Sequence, residues 1–312
     1  VKQGDHYVYT SDISGDKLYQ KPLNYLTEQD YYKGDPSGGY ISYVWTDHIS
    51  AENLVKEREA VEKEVRGKLN IPFYSARAGI KFCILSAKKK KYKNFHCVLV
   101  NDHSTDNAAS VIESLIEKDD RFELVLNPEK TGALGSIYHG TEHSKPNVDD
   151  VIVILDGDDW FANENVLQKL YDVYTEKDCW ITYGSYMEFP SGRRGKFSRQ
   201  IPEEIIEQRK FRESEWMSSH LRTYKYKLWR LIKEEDLKNS DGKFYPMAAD
   251  LPTMLPMLEM AGSRSQFIED ILLAYNRTNP TNEDKVNHSL QLSIEKEVRA
   301  KKRYPLLEHM IE

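Results

Sequence analysis

Three carboxylates, Asp156, Asp158 and Asp159, fall within four residues directly after the apolar run Val151-Ile-Val-Ile-Leu155. Packed so closely at the end of a buried strand they repel one another, and the cluster is costly unless a cation neutralises it. Such a set implies a hard divalent ion. Mg²⁺ or Mn²⁺ held by one or two carboxylates completes its octahedron with water and substrate phosphate oxygens, which points to a nucleotide diphosphate. An EF-hand Ca²⁺ loop fits badly: counted from Asp156, the sixth position is Phe161 where the turn needs Gly, and the twelfth is Leu167 where a bidentate Glu is needed. The plain alternative is that Asp-Gly-Asp-Asp is only a turn. A second polar cluster, Asn101-Asp-His-Ser-Thr-Asp-Asn107, follows the run His96 to Val100, and there Ser104, Thr105 or Asp106 could simply cap the next helix.

The elements that must position these residues are legible from periodicity. His96 to Val100, Phe122 to Leu126, Val151 to Leu155 and Cys179 to Tyr183 read as strands. Val111, Ile112, Leu115 and Ile116, and again Val166, Leu167, Leu170 and Val173, recur at helical spacing between them. The alternation predicts βαβ units, an α/β fold and a mainly parallel sheet flanked by helices. In such a sheet ligands collect at the carboxyl ends of the strands, where both acidic clusters lie.

The 312 residues carry 44 basic and 50 acidic side chains, a net charge of −6, so no overall basic field favours nucleic acid. No apolar run approaches the roughly 18 residues of a membrane span, and the polar start lacks the apolar stretch of a signal peptide. A cytoplasmic or membrane-peripheral protein is expected. Cys83, Cys97 and Cys179 form no CxxC pair and read as reduced core residues, with no zinc site.

The stretch Ile71-Pro-Phe-Tyr-Ser-Ala, then Tyr92-Lys-Asn-Phe-His-Cys-Val-Leu-Val-Asn-Asp-His-Ser-Thr-Asp-Asn, then Leu155-Asp-Gly-Asp-Asp-Trp resembles the nucleotide-binding half of a family 2 glycosyltransferase with the GT-A fold. The resemblance covers roughly 69–280. It implies that Pro72 and Tyr74 line the nucleotide pocket and that Asp102 hydrogen-bonds the base. Asp156 and Asp158 match the DxD motif, one towards ribose and metal, the other on the metal that bridges the diphosphate, with Asp159 a further metal candidate. Lys130-Thr-Gly132-Ala-Leu-Gly resembles the loop that holds the donor, and equally reads as a Gly-containing turn into a helix. His220, in Trp216-Met-Ser-Ser-His-Leu-Arg-Thr-Tyr224, matches a late histidine that sometimes joins the metal shell; a histidine hydrogen-bonded in a structural turn is the alternative. Asp250 falls where the family carries the Asp of its ED motif, the catalytic base, although the Glu position is Ala249; Asp250 could instead be an N-cap.

The resemblance implies a Mn²⁺- or Mg²⁺-dependent, inverting transfer of sugar from a nucleotide diphosphate sugar, UDP-sugar favoured, to a hydroxyl of a glycan, lipid-linked or protein acceptor. It divides the chain into an N-terminal extension of unassigned role (1–68), a nucleotide-sugar-binding half (69–185), an acceptor-side half (186–280) and a C-terminal helical tail (281–312). Two other readings compete. Ala249 would suit a nucleotide- or sugar-binding module without turnover. His139-Gly-Thr-Glu-His143 fits the HxxEH pattern of a zinc peptidase, although Gly140 weakens the helix needed to present it. Ser50 to Gly67 reads as a helix with an apolar stripe, the residues before Ile71 make poor strand material, and a basic amphipathic helix is expected around 289–303.

Overall fold

The computed structural model describes residues 91–277 and 287–308, and the backbone of three N-terminal strands. Those strands are β1 (Lys2–Gln3), β2 (His6–Ser11) and β3 (Lys17–Lys21), an antiparallel set in the order β1-β2-β3. The helix expected from Ser50, the strand at Ile71, Pro72, Tyr74 and Cys83 lie outside the described residues.

The main body follows the expected alternation. Strand β4 (Cys97–Asn101) leads to helix α1 (Ala108–Ile116), β5 (Phe122–Leu126), α2 (Gly132–Ser144), β6 (Val151–Ile154), β7 (Trp160–Phe161) and α3 (Val166–Glu176). Then come β8 (Ile181–Phe189), β9 (Arg193–Arg194), α4 (Glu203–Glu207), β10 (Arg222–Lys225), α5 (Tyr226–Trp229), α6 (Asp250–Ala261), β11 (Ser265–Asn276) and α7 (His288–Ala300). Among the described residues no helix is long and apolar enough to cross a membrane.

The α/β class stands, but the sheet is mixed rather than mainly parallel. Strands β4 and β5 pair parallel, as do β8 and β11, whereas β10 runs antiparallel to both β6 and β8, and β7 antiparallel to β11. The order in the large sheet is β6-β10-β8-β11-β7, with β9 on β8. A late strand, β10, is thus slotted between two early ones. Strand β8 runs six residues past its expected end, because pairing with β11 along its whole length buries nearly every residue.

Two apolar clusters cover the sheet. Leu134, Ile181, Tyr183 and Tyr224 pack with the wholly buried residues of α6, including Met254, Leu255 and Leu258. Ile112, Phe122, Val166, Leu170, Leu221 and Leu273 form the other. Cys97 and Cys179 are free thiols, pushed by burial to about 12 and about 11, so they stay protonated as expected of core residues.

The C-terminal helix is bound to α6. Ile294 and Val298 of α7 join the α6 cluster. Arg212, also buried, makes a two-pronged bond to Glu259 of α6 at 2.6 and 3.0 Å and donates to the Val298 carbonyl at 2.6 Å, while the Tyr304 N–H donates to Glu259. Glu259 is 0% exposed, so removing it strands a buried guanidinium. Glu259→Ala is expected to cost about 3–5 kcal/mol by chemical denaturation, and replacing both partners with apolar residues far less. Equal losses for the single and double variants would show that the pair is not what holds α7.

Candidate active site

Strand register assembles the acidic site. Arg222, the first residue of β10, lies opposite Ile154 of β6. His220 lies just before β10, across a cis peptide bond with Leu221, and is brought beside Asp156 in the turn that follows β6. Beyond β6 the Asp-Gly-Asp-Asp turn is closed by Asp159 N–H donating to the Asp156 carbonyl at 3.0 Å. The chain then enters β7, where Trp160 faces Ala274 of β11, and the Asn276 N–H donates to Asp159 Oδ1 at 2.8 Å. Asp156, Asp159 and His220 are thereby brought together with one ligating atom each, all within 4.8 Å of one another, the one such group among the described residues.

The group is electrostatically incomplete. Asp159 is 1% exposed, and its Oδ2 is buried without a hydrogen-bond partner, as is His220 Nδ1. Buried polar atoms are rarely left so, and a cation would satisfy the Asp159 oxygen together with a lone pair of the His220 ring. Burial, reinforced by the charges of Asp156 and Asp158, raises the Asp159 carboxyl well above the usual carboxylate range; the Asn276 N–H and Arg222 offset this only in part. Burial, with Arg222 adding to it, holds His220 well below the ordinary imidazole value, so the ring is neutral with a lone pair free to ligate. Two carboxylates and a neutral imidazole fit a divalent cation such as Mn²⁺ or Mg²⁺, and leave half an octahedron for water and phosphate oxygens. Asp158 is half-buried and lies outside this group.

Asp250 stands across Arg222 from this group. It is the first residue of α6, and Ala249, not Asp250, occupies the N-cap position, without a side-chain cap. The Asp250 carboxylate accepts the Leu251 N–H at 3.1 Å, at the positive end of the helix dipole. Burial raises its pKa, and the Arg222 charge moderates the rise. Arg222 Nη2 lies 3.4 Å from Asp156 Oδ2 and its Nη1 3.8 Å from Asp250 Oδ2, while its Nε is buried without a partner. Sequence reasoning missed Arg222, whose place beside Asp156 depends on β10 pairing with β6.

Asp102 has drawn the Lys130 loop onto itself. Its carboxylate accepts the N–H groups of Thr131 (2.7 Å) and Gly132 (2.8 Å), the Thr131 hydroxyl (2.9 Å) and Asn127 Nδ2 (2.9 Å). Burial acts to raise its pKa, but these bonds prevail and hold the carboxyl below its usual value. Gly132 has φ +77°, a conformation that favours glycine, and opens α2, while Lys130 is exposed just before it. Asp106, not Ser104 or Thr105, serves the next helix, accepting the Ala108 N–H at 2.9 Å.

The HxxEH residues do not converge. His139 bonds Asn127 at 3.1 Å, Glu142 accepts from the Trp229 indole at 3.0 Å, and His143 pairs with Glu123 at 2.7 Å. Three partners in three places make no zinc site of them.

A model of glycosyl transferase family 2 matches residues 69–233, just over half of the chain. An uncharacterized glycosyltransferase of Haemophilus influenzae is 31% identical over 116 residues, 37% of this chain and 45% of that protein. The Escherichia coli UDP-Glc:alpha-D-GlcNAc-diphosphoundecaprenol beta-1,3-glucosyltransferase WfaP is 27% identical over 116 residues, 37% of this chain and 44% of that one. The matched stretch thus spans less than half the length of these relatives. The crystal structure of S. aureus TarS superimposes with a TM-score of 0.48 at 14% identity, covering 70% of this chain and 38% of that chain.

Proposed function

The chain belongs to glycosyl transferase family 2, and from that premise we propose that it moves a sugar from a nucleoside diphosphate sugar to an acceptor hydroxyl with inversion, aided by a divalent cation. The observation that carries this reading is the convergence of Asp156, Asp159 and His220, two of them with buried unpartnered atoms, beside the half-buried Asp250. The GT-A type of α/β fold goes with the family. UDP is the favoured nucleotide, a choice supported by the name of the E. coli relative.

Asp156, Asp159 and His220 would hold Mn²⁺ or Mg²⁺, which when bound supplies positive charge to the departing diphosphate. Asp158, half-buried beside them, completes the DxD pair on the donor side. Asp102 orders the Lys130-Thr131-Gly132 loop and by lone-pair count retains capacity at Oδ2 for a base contact. The resemblance to the family assigns Pro72 and Tyr74 to the nucleotide pocket. Asp250 takes the proton from the acceptor hydroxyl; its raised pKa makes it a stronger base than an exposed aspartate. The acceptor is a glycan, lipid-linked or protein hydroxyl.

UDP is expected to raise the melting temperature only with Mn²⁺ or Mg²⁺ present. A ligand at about 100 times its Kd adds about 2.7 kcal/mol to the native state, so the shift is easily read by differential scanning fluorimetry. An equal shift in EDTA would contradict a metal-bridged diphosphate.

A further inference from the structure

Resting on that reading of the site, we infer that Arg222 is a positioning residue of the transfer reaction, one guanidinium that holds the base Asp250 and the donor-side Asp156 in a fixed relation. The two carboxylates come from different parts of the fold: Asp156 from the turn after β6, Asp250 from the start of α6. Arg222 reaches both, at 3.4 and 3.8 Å, through different nitrogens of one fork. The first is a hydrogen-bonded ion pair and the second lies within ion-pair range, so one guanidinium bridges the two carboxylates.

Its own anchorage is firm. Arg222 is 7% exposed on a strand paired on both sides, with Thr223 and Tyr224 after it fully buried. A lysine could put its single ammonium against one carboxylate at a time; only the planar fork spans two. Simple charge neutralisation is the rival role, since Asp156, Asp158, Asp159 and Asp250 all gather on this side of the sheet. That role needs a positive charge but not a fork, so Arg222→Lys would satisfy it.

The test compares Arg222→Met and Arg222→Lys with the wild type in kcat and KM for a UDP-sugar, in calorimetric binding of UDP with Mn²⁺, and in melting temperature. A displacement of a reacting group by about 1 Å can cost about 10²-fold in rate. Arg222→Met is therefore expected to lose on the order of 10²-fold in kcat, with KM and UDP·Mn²⁺ affinity within a few-fold of wild type. Arg222→Lys, which retains the charge and keeps the test alive if the Met variant does not fold, should remain at least about tenfold slow. Added guanidinium ion should restore part of the lost kcat in Arg222→Met and none in the wild type. Full kcat in Arg222→Lys, or a loss that runs in step with UDP·Mn²⁺ affinity or melting temperature, overturns the inference while leaving an active enzyme. A wild type inert towards every donor overturns the proposed function and this inference with it.

Discussion

Replacing Asp250 with Asn is expected to leave UDP·Mn²⁺ binding near wild type and to slow transfer about 10²- to 10⁴-fold, the range for losing acid–base assistance. Asparagine keeps the oxygen that accepts the Leu251 N–H and the size of the side chain, so the start of α6 should survive. What it removes is the proton acceptor. Because Ala249 holds the N-cap position, a purely capping role does not compete. The wild-type pH profile adds a second readout. Burial raises the Asp250 pKa against the moderating charge of Arg222, so kcat should climb with pH through a point above the ordinary aspartate value, the low-pH, protonated form being inactive. Transfer rates set beside the melting temperature of the same preparation check both, and unchanged transfer in Asp250→Asn would remove Asp250 from the chemistry.

Asp159→Asn is expected to lower Mn²⁺ affinity by at least about 100-fold, beyond the 10- to 100-fold typical of losing a residue that merely supports a ligand. Transfer should fall with it. The metal-free protein should be no less stable: the amide still accepts the Asn276 N–H through Oδ1, and it relieves the burial of a carboxylate beside Asp156 and Asp158. The sign of the pH effect follows. With its pKa raised on folding, Asp159 makes the metal-free native state bind more protons than the unfolded chain, so stability falls as pH rises from the unfolded carboxylate value through the raised one. That decline should flatten in Asp159→Asn. Calorimetric Mn²⁺ titrations of Asp159→Asn and Asp158→Asn rank the two aspartates; wild-type affinity in Asp159→Asn would break the proposed ligand set.

The early α/β units were legible because each strand is a short apolar run and each helix carries a clear stripe: β5 runs over Phe122–Leu126 as read, and β4, β6, α1 and α3 fall within a few residues of their expected places. The later strands were not. Strand β10 is Arg-Thr-Tyr-Lys, charged at both ends, and it exists because β6 and β8 flank it on both sides. Strand β11 carries Glu269 and Asp270 at its register shifts, which interrupts any alternation. The mixed pairing followed from those two strands. At the site, motif resemblance points to Asp156, Asp250 and His220 and sets Asp158 before Asp159, because sequence spacing does not tell which side chain a later strand will bury. Only β11, through Asn276, turns Asp159 inward.

Central to this account is metal-assisted turnover of a nucleotide sugar at the Asp156–Asp159–His220 group. The most direct measurement is release of nucleoside diphosphate from a panel of UDP-sugars by the purified chain, with Mn²⁺ and with EDTA. UDP should appear from at least one donor with Mn²⁺, cease in EDTA, and fall to background in Asp159→Asn. UDP binding with Mn²⁺ but no release from any donor, with or without candidate acceptors, would contradict the account and leave a nucleotide-binding module in its place.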